Sequence, residues 1–242
     1  MKLITLNIWG GHIRQPFIDF IKTQSDVDIF CFQEVYHNAP EKISSEERKV
    51  SLNIFSELQE LLADHNSYFR PVVENVFGVG TFVRKNIEIL GEGEITIHIN
   101  ENYSGRGPMH SRNLQWLNCR VNGKDLHIMN VHGLWNGMGK TDTPDRICQS
   151  QRIRAFMDSI STPKIVCGDF NLRPDTESLK ILESDMVNHV KTNSVTSTRT
   201  SLYSKSEKFA DYILTSPDIA VKRFNVLKDE VSDHAPLFLD FE

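Results

Sequence analysis

Apolar runs that stop abruptly at a polar residue recur along the chain of 242 residues. The run from Ile165 to Asn171 is the clearest, because it ends in a glycine, an acid, a phenylalanine and an amide. Side chains two positions apart in a strand point to the same side. If the strand continues past Gly168, Asp169 and Asn171 face one spot while Phe170 points into the core. The alternative is a simple turn, since Gly, Asp and Asn are all turn formers.

Similar apolar or alternating runs predict strands along the rest of the chain, each bounded by residues that break strands. They cover residues 3–9, 27–35, 68–73, 77–84, 87–90, 94–99, 114–121, 124–131, 209–214, 220–227 and 237–241. The pair Asn122-Gly123 lies between two of these runs and predicts a tight hairpin. The runs from residue 68 to 99 suggest an antiparallel part of a sheet.

Helical spacing of apolar residues predicts helices over 16–22, 46–64 and 145–160, with a short fourth helix from Pro174 to Leu182. Two polar stretches, 98–113 and 193–208, are predicted to be long loops, and the first is expected to border a cleft. No internal repeat or shift in composition marks a boundary. The chain is therefore expected to form one domain over residues 1–242.

Several predicted strands end at, or lead into, an acid, an amide or an imidazole. The residues are Asn7, Glu34, His132, Asp169, Asn171, Asp211, Asp233 and His234. Carboxylate oxygens suit hard cations such as Mg²⁺, and a histidine oriented by an aspartate can act as a general base near neutral pH. Each residue also has a plainer interpretation, as a turn former, an exposed strand end or a structural histidine. Arg106 and Arg112 in the first loop could contact a phosphate, although exposed arginines are usually only solvated.

The net charge of −5, from 27 basic and 32 acidic residues, argues against a global affinity for nucleic acid and leaves a local basic patch open. The four cysteines are scattered and predict buried thiols in a reducing compartment. We find no membrane-span pattern and no signal-peptide core near Met1, so stable membrane insertion is not expected. The expected location is the cytoplasm, or outside the cell if a signal peptide was removed, and no protein partner is predicted.

Six short motifs occur in a set order: Asn-Ile-Trp-Gly, Gln-Glu-Val, Asn-Val-His-Gly, Gly-Asp-Phe-Asn, Ala-Asp-Tyr-Ile-Leu and Ser-Asp-His-Ala-Pro. With these motifs the chain resembles the endonuclease/exonuclease/phosphatase superfamily over residues 4–239. The resemblance implies a four-layer α/β/β/α sandwich, in which two packed mixed sheets are flanked by helices. It also implies a metal-dependent phosphoesterase whose site lies at one end of the sheets.

The resemblance implies a metal site as well. Glu34 looks like the principal Mg²⁺ ligand, and Asn7 and Asp233 complete or support the site. Mn²⁺ is the expected substitute for Mg²⁺.

The remaining residues look like the catalytic group of this superfamily. His234, paired with Asp211, looks like the residue that activates water or steadies the phosphate. Asp169 is similar to the aspartate that positions the nucleophilic water, and the superfamily's base role is divided between such an aspartate and the histidine. Asn171 and His132 look like donors to the non-bridging phosphoryl oxygens.

The leading hypothesis is Mg²⁺-dependent hydrolysis of a phosphodiester by in-line attack of water, in a nuclease or a general phosphodiesterase. A phosphomonoesterase, a lipid phosphoesterase or a non-catalytic binding module on the same fold are the alternatives. The segment from Lys208 to Leu214 lacks the Pro-x-Trp-x-Asp-Arg pattern of inositol phosphatases, and no aromatic hairpin of the sphingomyelinase type is evident. Abasic-site endonucleases have tyrosine where this chain has His132, which makes abasic-site repair a poorer match.

Overall fold

The computed structural model describes residues 1–39, 49–104 and 107–242. These residues form twelve strands and five α-helices. The strands are β1 (Lys2–Asn7), β2 (Ile29–Tyr36), β3 (His65–Val73), β4 (Phe77–Arg84), β5 (Glu88–His98), β6 (Arg112–Val121), β7 (Lys124–His132), β8 (Lys164–Asp169), β9 (Val187–Asn188), β10 (Asp211–Thr215), β11 (Val221–Val226) and β12 (Leu237–Phe241). The helices are α1 (Arg14–Thr23), α2 (Ile54–Leu61), α3 (Pro144–Asp158), α4 (Glu177–Glu183) and α5 (His189–Thr192).

The strands form two mixed sheets of six strands each. Their orders are β11-β12-β1-β2-β4-β3 and β5-β6-β7-β8-β10-β9. The pairs β1–β2 and β7–β8 are parallel, and the other paired strands are antiparallel. The predicted sandwich of two packed sheets with flanking helices is confirmed.

Two apolar clusters hold these layers together. The larger cluster joins both sheets, and Cys31, Cys119 and Cys167 all lie in it as buried free thiols. Cys148 is exposed, so the prediction of buried thiols was wrong for this cysteine. The smaller cluster packs α1 and α2 against the first sheet, with Phe17 edge-on to Phe32. None of the helices formed by the described residues has both the length and the apolar character needed to cross a bilayer.

A polar network lies buried between the sheets beneath the strand ends. Gln33 donates from Nε2 to Asn130 Oδ1 at 2.7 Å, which joins β2 of one sheet to β7 of the other. Asn130 donates in turn to the carbonyl of Phe32 at 3.2 Å, and Thr81 donates to Gln115 at 2.7 Å. Buried hydrogen bonds of this kind have few alternative partners, so they fix how the two sheets are aligned.

Several predicted element boundaries were wrong. Among the described residues, the helix predicted over 46–64 spans only Ile54–Leu61. Residues 49–51 are irregular and the next two form a turn, while residues 46–48 lie outside the described part. The two strands predicted over 87–90 and 94–99 are one strand, β5, in which Gly93 lies against the ring of Trp116. A Cβ at Gly93 would lie 2.8 Å from that ring, so this glycine is required for packing and does not end the strand.

The loop predicted over 98–113 spans fewer residues than expected. Strand β5 continues to His98, and β6 already begins at Arg112. Arg112 therefore stands on a strand, with only 2% of its surface exposed, and the expectation of a solvated loop arginine was wrong.

Gly168 allows the close approach of β7 and β8. Its φ is +133°, and a Cβ there would lie 2.1 Å from the carbonyl oxygen of Val131. We expect Gly168→Ala to lower the free energy of unfolding by about 2 to 3 kcal/mol, because the new methyl group forces the parallel strands apart. Urea unfolding of the variant measures this loss.

The matched control is Gly123→Ala in the β6–β7 turn, where φ is +78° but no atom lies within 4 Å of the added Cβ. This control should cost only about 1 kcal/mol, because it carries backbone strain without a clash. Equal losses in the two variants would contradict the steric explanation.

Candidate active site

Three of the predicted residues lie side by side on neighbouring strands of the second sheet. In the register of the sheet, His132 on β7 is paired with Asp169 on β8, and Asp169 is paired with Asp211 on β10. Strands β7 and β8 end at this edge of the sheet and the antiparallel β10 begins there, so their polar side chains converge. Asp169 and Asp211 are only 2% and 3% exposed. The polar side chains at these strand ends therefore lie together and are buried.

The first sheet contributes Asn7 and Glu34 to the same edge. Strand β2 has a bulge between Phe32 and Val35, and Glu34 adopts a φ of +58° there. Left-handed backbone is uncommon for a residue other than glycine and often marks a functional site. Asn7 Nδ2 donates to Glu34 Oε1 at 3.0 Å and to Asp169 Oδ2 at 3.1 Å, so this amide connects the two sheets.

His234 lies between two aspartates. Its Nδ1 is 2.7 Å from Asp211 Oδ1, and its Nε2 is 3.7 Å from Asp169 Oδ2. Burial opposes protonation of His234, but the Asp211 carboxylate outweighs that effect and raises the pKa of the imidazole. Thr198 Oγ1 donates to the other oxygen of Asp211 at 3.0 Å, which fixes the carboxylate in the orientation that holds His234.

Asp169 and Asn171 do face one spot, but they reach it by a turn and not by a continued strand. Strand β8 ends at Asp169, and Asn171 has a φ of +53°. The backbone N–H of Asn171 donates to Asp169 Oδ1 at 2.9 Å, while Phe170 is buried in the core. Both interpretations of the motif are therefore partly correct.

Lys140, from the loop after β7, completes this turn. Its ammonium donates to Asn171 Oδ1 at 2.8 Å and is almost wholly buried. Because the amide oxygen faces Lys140, Asn171 Nδ2 points towards Asp169 Oδ2 at 3.3 Å. Burial lowers the pKa of Lys140 to about 8. Burial also opposes ionisation of Asp169, but Lys140, His234 and other nearby cations outweigh it and lower the pKa of this carboxyl.

Arg146 on α3 fixes the loop that carries Lys140. Its guanidinium is fully buried and donates to the carbonyls of Leu134, Thr141 and Gly139 at 3.2, 2.6 and 2.6 Å. Three such bonds from one planar group define the loop conformation closely. The ammonium of Lys140 is thereby held at one place.

Arg112 lines the site from the other side. Its Nη1 lies 2.7 Å from His110 Nε2 and 3.5 Å from His132 Nδ1, and its Nη2 donates to the carbonyl of Pro108 at 2.8 Å. Burial and the adjacent guanidinium lower the pKa of His132 well below its ordinary value and that of His110 to about 3. Both imidazoles are therefore neutral at physiological pH. Arg106 lies outside the described residues.

The acidic side of the site suits a divalent cation. Burial raises the pKa of Glu34, an effect that the hydrogen bond from Asn7 only partly offsets, and no Lys or Arg of the described residues lies within 4.0 Å of its carboxylate. Asp169 and Asp233 face the same cavity. A hard cation takes oxygen ligands of this kind and would neutralise them. Asp169, Asp211 and His234 also form a buried cluster whose ligand atoms lie within 4.8 Å of one another.

Six of the eight predicted strand-end residues line one cavity of about 500 Å³, and Asn7 and Asp211 are not among its lining residues. Glu34, Asp169, Asp233 and His234 line its acidic side, together with His132 and Asn171. The other walls are aromatic and basic. They include Tyr36, Phe77, Tyr103, His110, Arg112, Trp135, Lys140, Arg199, Tyr203 and Lys205.

A protein-family model described as the Endonuclease/Exonuclease/phosphatase family matches residues 4–234 of this chain. The chain belongs to the endonuclease/exonuclease/phosphatase family. Members of the family are phosphoester hydrolases that generally depend on divalent metals, and the chain is an enzyme of this class. No curated protein matches the sequence.

Solved structures of the endonuclease/exonuclease/phosphatase fold cover the whole chain. A mannosyl-6-phosphatase of Bacteroides thetaiotaomicron has a TM-score of 0.76 at 17% identity, with 100% of this chain and 99% of that chain covered. Humanized D. rerio TDP2 has a TM-score of 0.73 at 14% identity, covering 100% and 98%. The human nocturnin catalytic domain, solved with bound sulfate, has a TM-score of 0.68 at 20% identity, covering 100% and 93%. At these identities the likeness establishes the fold.

Sequence reasoning missed several residues that line the cavity of this family member. They are His110, Trp135, Lys140, Arg199, Tyr203 and Lys205. All lie on loops outside the strand-end motifs, where neither periodicity nor spacing distinguishes a site residue. For Lys140 one clue was present, because two glycines precede it closely in a loop that directly follows His132.

Proposed function

We propose that this protein hydrolyses phosphodiesters by in-line attack of water, with Mg²⁺ as its metal and Mn²⁺ as a substitute. The observation that carries the proposal is the position of His234. Its Nδ1 is hydrogen-bonded to Asp211 Oδ1 at 2.7 Å, and its Nε2 faces Asp169 Oδ2 at 3.7 Å. An imidazole oriented by one carboxylate and directed at another can take a proton from a water held between them. Across from this pair, Glu34 brings its carboxylate to the same cavity. Asn7 donates from Nδ2 to both Glu34 and Asp169 and so holds the two carboxylates in place.

Glu34 would hold the metal, and Asn7 and Asp233 would support it. We favour this position over the Asp169–Asp211–His234 cluster because His234 Nδ1 and Asp211 Oδ1 are already bonded to each other. When bound, the metal supplies positive charge that offsets the charge developing on the phosphoryl group.

The other residues bind and orient the phosphate. Asp169 holds the attacking water next to His234. Asn171 Nδ2, whose direction Lys140 sets, donates to the carbonyl of Gly133 at 3.2 Å and to Asp169 at 3.3 Å, and a bound phosphate would take the second of these hydrogens on a non-bridging oxygen. His132 is neutral, and its Nε2 lies 3.9 Å from Glu34 Oε1. With Arg112 beside Nδ1, this Nε2 carries the proton and donates to a second non-bridging oxygen.

Hydrolysis of bis-p-nitrophenyl phosphate tests the proposal. We expect hydrolysis with Mg²⁺ or Mn²⁺, no hydrolysis after removal of metal with EDTA, and full recovery when Mg²⁺ is added back. Circular dichroism before and after EDTA treatment shows whether the fold persists without metal. Undiminished hydrolysis in EDTA, or none with any divalent cation, would contradict the proposed function.

A phosphomonoesterase is the second candidate, and the basic wall of the cavity favours it. A phosphomonoester carries up to two negative charges, and Arg112, Lys140, Arg199 and Lys205 line the same space. The ratio of kcat/KM for p-nitrophenyl phosphate to that for bis-p-nitrophenyl phosphate separates the candidates. A ratio above one favours the monoesterase, and a ratio below one favours the diesterase. Plasmid DNA, RNA, sphingomyelin and inositol phosphates under the same conditions then narrow the substrate.

A further inference from the structure

Two loops form a basic and aromatic wall of the cavity that the proposed chemistry leaves largely unused. We call this wall the Trp135 subsite; it consists of Trp135, Lys140, Arg199, Tyr203 and Lys205, which all line the cavity. Lys140 and Trp135 come from the loop after β7, and the other residues come from the segment between α5 and β10.

Both lysines of the Trp135 subsite approach the same indole ring. Lys205 Nζ lies 4.9 Å from the centroid of Trp135, and Lys140 Nζ lies 6.0 Å from it. Neither ammonium has a carboxylate of the described residues within 4.0 Å. Two like charges beside one ring repel each other.

Arg199 adds a third cation that is only partly neutralised. Its guanidinium stacks on Tyr203 at 4.0 Å, and its Nη1 lies 3.3 Å from Asp233 Oδ2. Its Nε is buried and has no hydrogen-bond partner among the described residues. A divalent cation held by Asp233 would compete with Arg199 for that carboxylate and would leave the guanidinium less neutralised.

We propose that the Trp135 subsite binds a second anionic group of a small substrate, so that the natural substrate is a phosphoester with a further phosphate-like group. This inference rests on the proposed phosphoester hydrolysis and specifies its substrate class. An anion beside Trp135 would lie between the lysine ammoniums and relieve their repulsion. A cavity of about 500 Å³ is of the size that encloses a small molecule. The net charge of −5 favours such a substrate over a long polynucleotide.

The test compares inhibitors that carry one or two anionic groups. Alkane-α,ω-bisphosphonates of increasing chain length and the matching alkyl monophosphonates compete with bis-p-nitrophenyl phosphate at saturating Mg²⁺. We expect one chain length of bisphosphonate to bind about tenfold more tightly than its monophosphonate, the gain of one charge-assisted contact. Lys205→Met should bring the ratio of the two affinities to about one, and Lys205→Arg should keep it near tenfold.

Lys208→Met is the matched control, because Lys208 lies on the same segment, is exposed and does not line the cavity. It removes the same charge and should leave the ratio unchanged. An equal loss in both variants would show a general charge effect and overturn the subsite. A ratio near one in the wild type at every chain length would also overturn it, and would leave the contact of Lys205 with Trp135 as packing alone.

Calorimetric titration of the same compounds measures the ratio independently of turnover. If the wild type fails to hydrolyse any phosphoester but keeps a Lys205-dependent preference for two anionic groups, the proposed function is wrong and the subsite stands. If hydrolysis occurs without that preference, the subsite alone is wrong. Oligothymidylate is the last competitor. If it outcompetes every bisphosphonate and needs Lys205, the second phosphate belongs to a polynucleotide and the small-substrate proposal is wrong.

Discussion

The variant His234→Ala is expected to lower kcat for bis-p-nitrophenyl phosphate about 10³-fold, within the range typical of a lost general base, with little change in KM. The physical reason is the placement of the imidazole, which bonds Asp211 through Nδ1 and directs Nε2 at Asp169. Alanine removes the proton acceptor, while the groups proposed to hold the phosphate stay in place. Steady-state kinetics at saturating Mg²⁺ measures the effect, and comparable kcat in variant and wild type would contradict the role.

A double-mutant cycle makes this test sharper. Asp211 is proposed to act only through His234, so Asp211→Asn should slow the wild type but change little in the His234→Ala background. If the fold-losses in kcat of the two single variants multiply in the double variant, Asp211 has a role that is separate from His234. His127→Ala is the matched control, since His127 bonds Thr162 at 2.7 Å and does not line the cavity. It should keep kcat within about twofold of the wild type.

The convergence of polar strand ends was the part of the site that sequence made predictable. Apolar runs define buried strands, and parallel neighbours such as β7 and β8 must end at the same edge. Any polar residue that terminates such a run is therefore placed by the sheet itself. This is why His132 and Asp169 are paired in the sheet. Asp211 joins them because the antiparallel β10 begins where β8 ends.

The two site residues with left-handed backbone could not be predicted, because their conformations depend on contacts between segments that are distant in sequence. Glu34 adopts a φ of +58° at a bulge where β2 meets β4, and nothing in Gln-Glu-Val indicates a bulge. The sequence left open whether Asn171 continues the strand or lies in a turn, and its hydrogen bonds with Asp169 and Lys140 hold it in a turn.

Most of the basic wall was missed, and the burial of Arg112 was not foreseen, for a different reason. Whether an arginine or lysine is solvated or buried depends on which loop covers it, and a polar loop sequence looks the same in both cases. Arg112 is buried because His110 and the carbonyl of Pro108 bond its guanidinium. Lys140 is buried because Arg146 fixes the loop that carries it. Such arrangements need coordinates.

The second large effect is expected for Glu34→Gln, which keeps the side-chain volume and removes the charge. At fixed Mg²⁺ we expect kcat/KM for bis-p-nitrophenyl phosphate to fall about 10²- to 10³-fold, because the proposed principal metal ligand becomes neutral. Raising Mg²⁺ or Mn²⁺ should restore part of the activity, since weaker binding is offset by concentration. Glu74→Gln is the matched control, because Glu74 lines the same cavity and is assigned no metal contact. A loss of the same size in that variant would contradict the assignment.

When no metal is present, Glu34→Gln should raise the stability of the protein against thermal unfolding, although it lowers the activity. Burial disfavours the Glu34 carboxylate, and Asp169 and Asp233 repel it, so the neutral amide should stabilise the metal-free protein by about 1 kcal/mol. A ligand that binds only the folded state stabilises it in proportion to ln(1 + [L]/Kd). Mg²⁺ should therefore raise the unfolding temperature of the wild type far more than that of the variant. A variant that is less stable without metal, or equally stabilised by it, would mean that Glu34 serves the fold and not the metal.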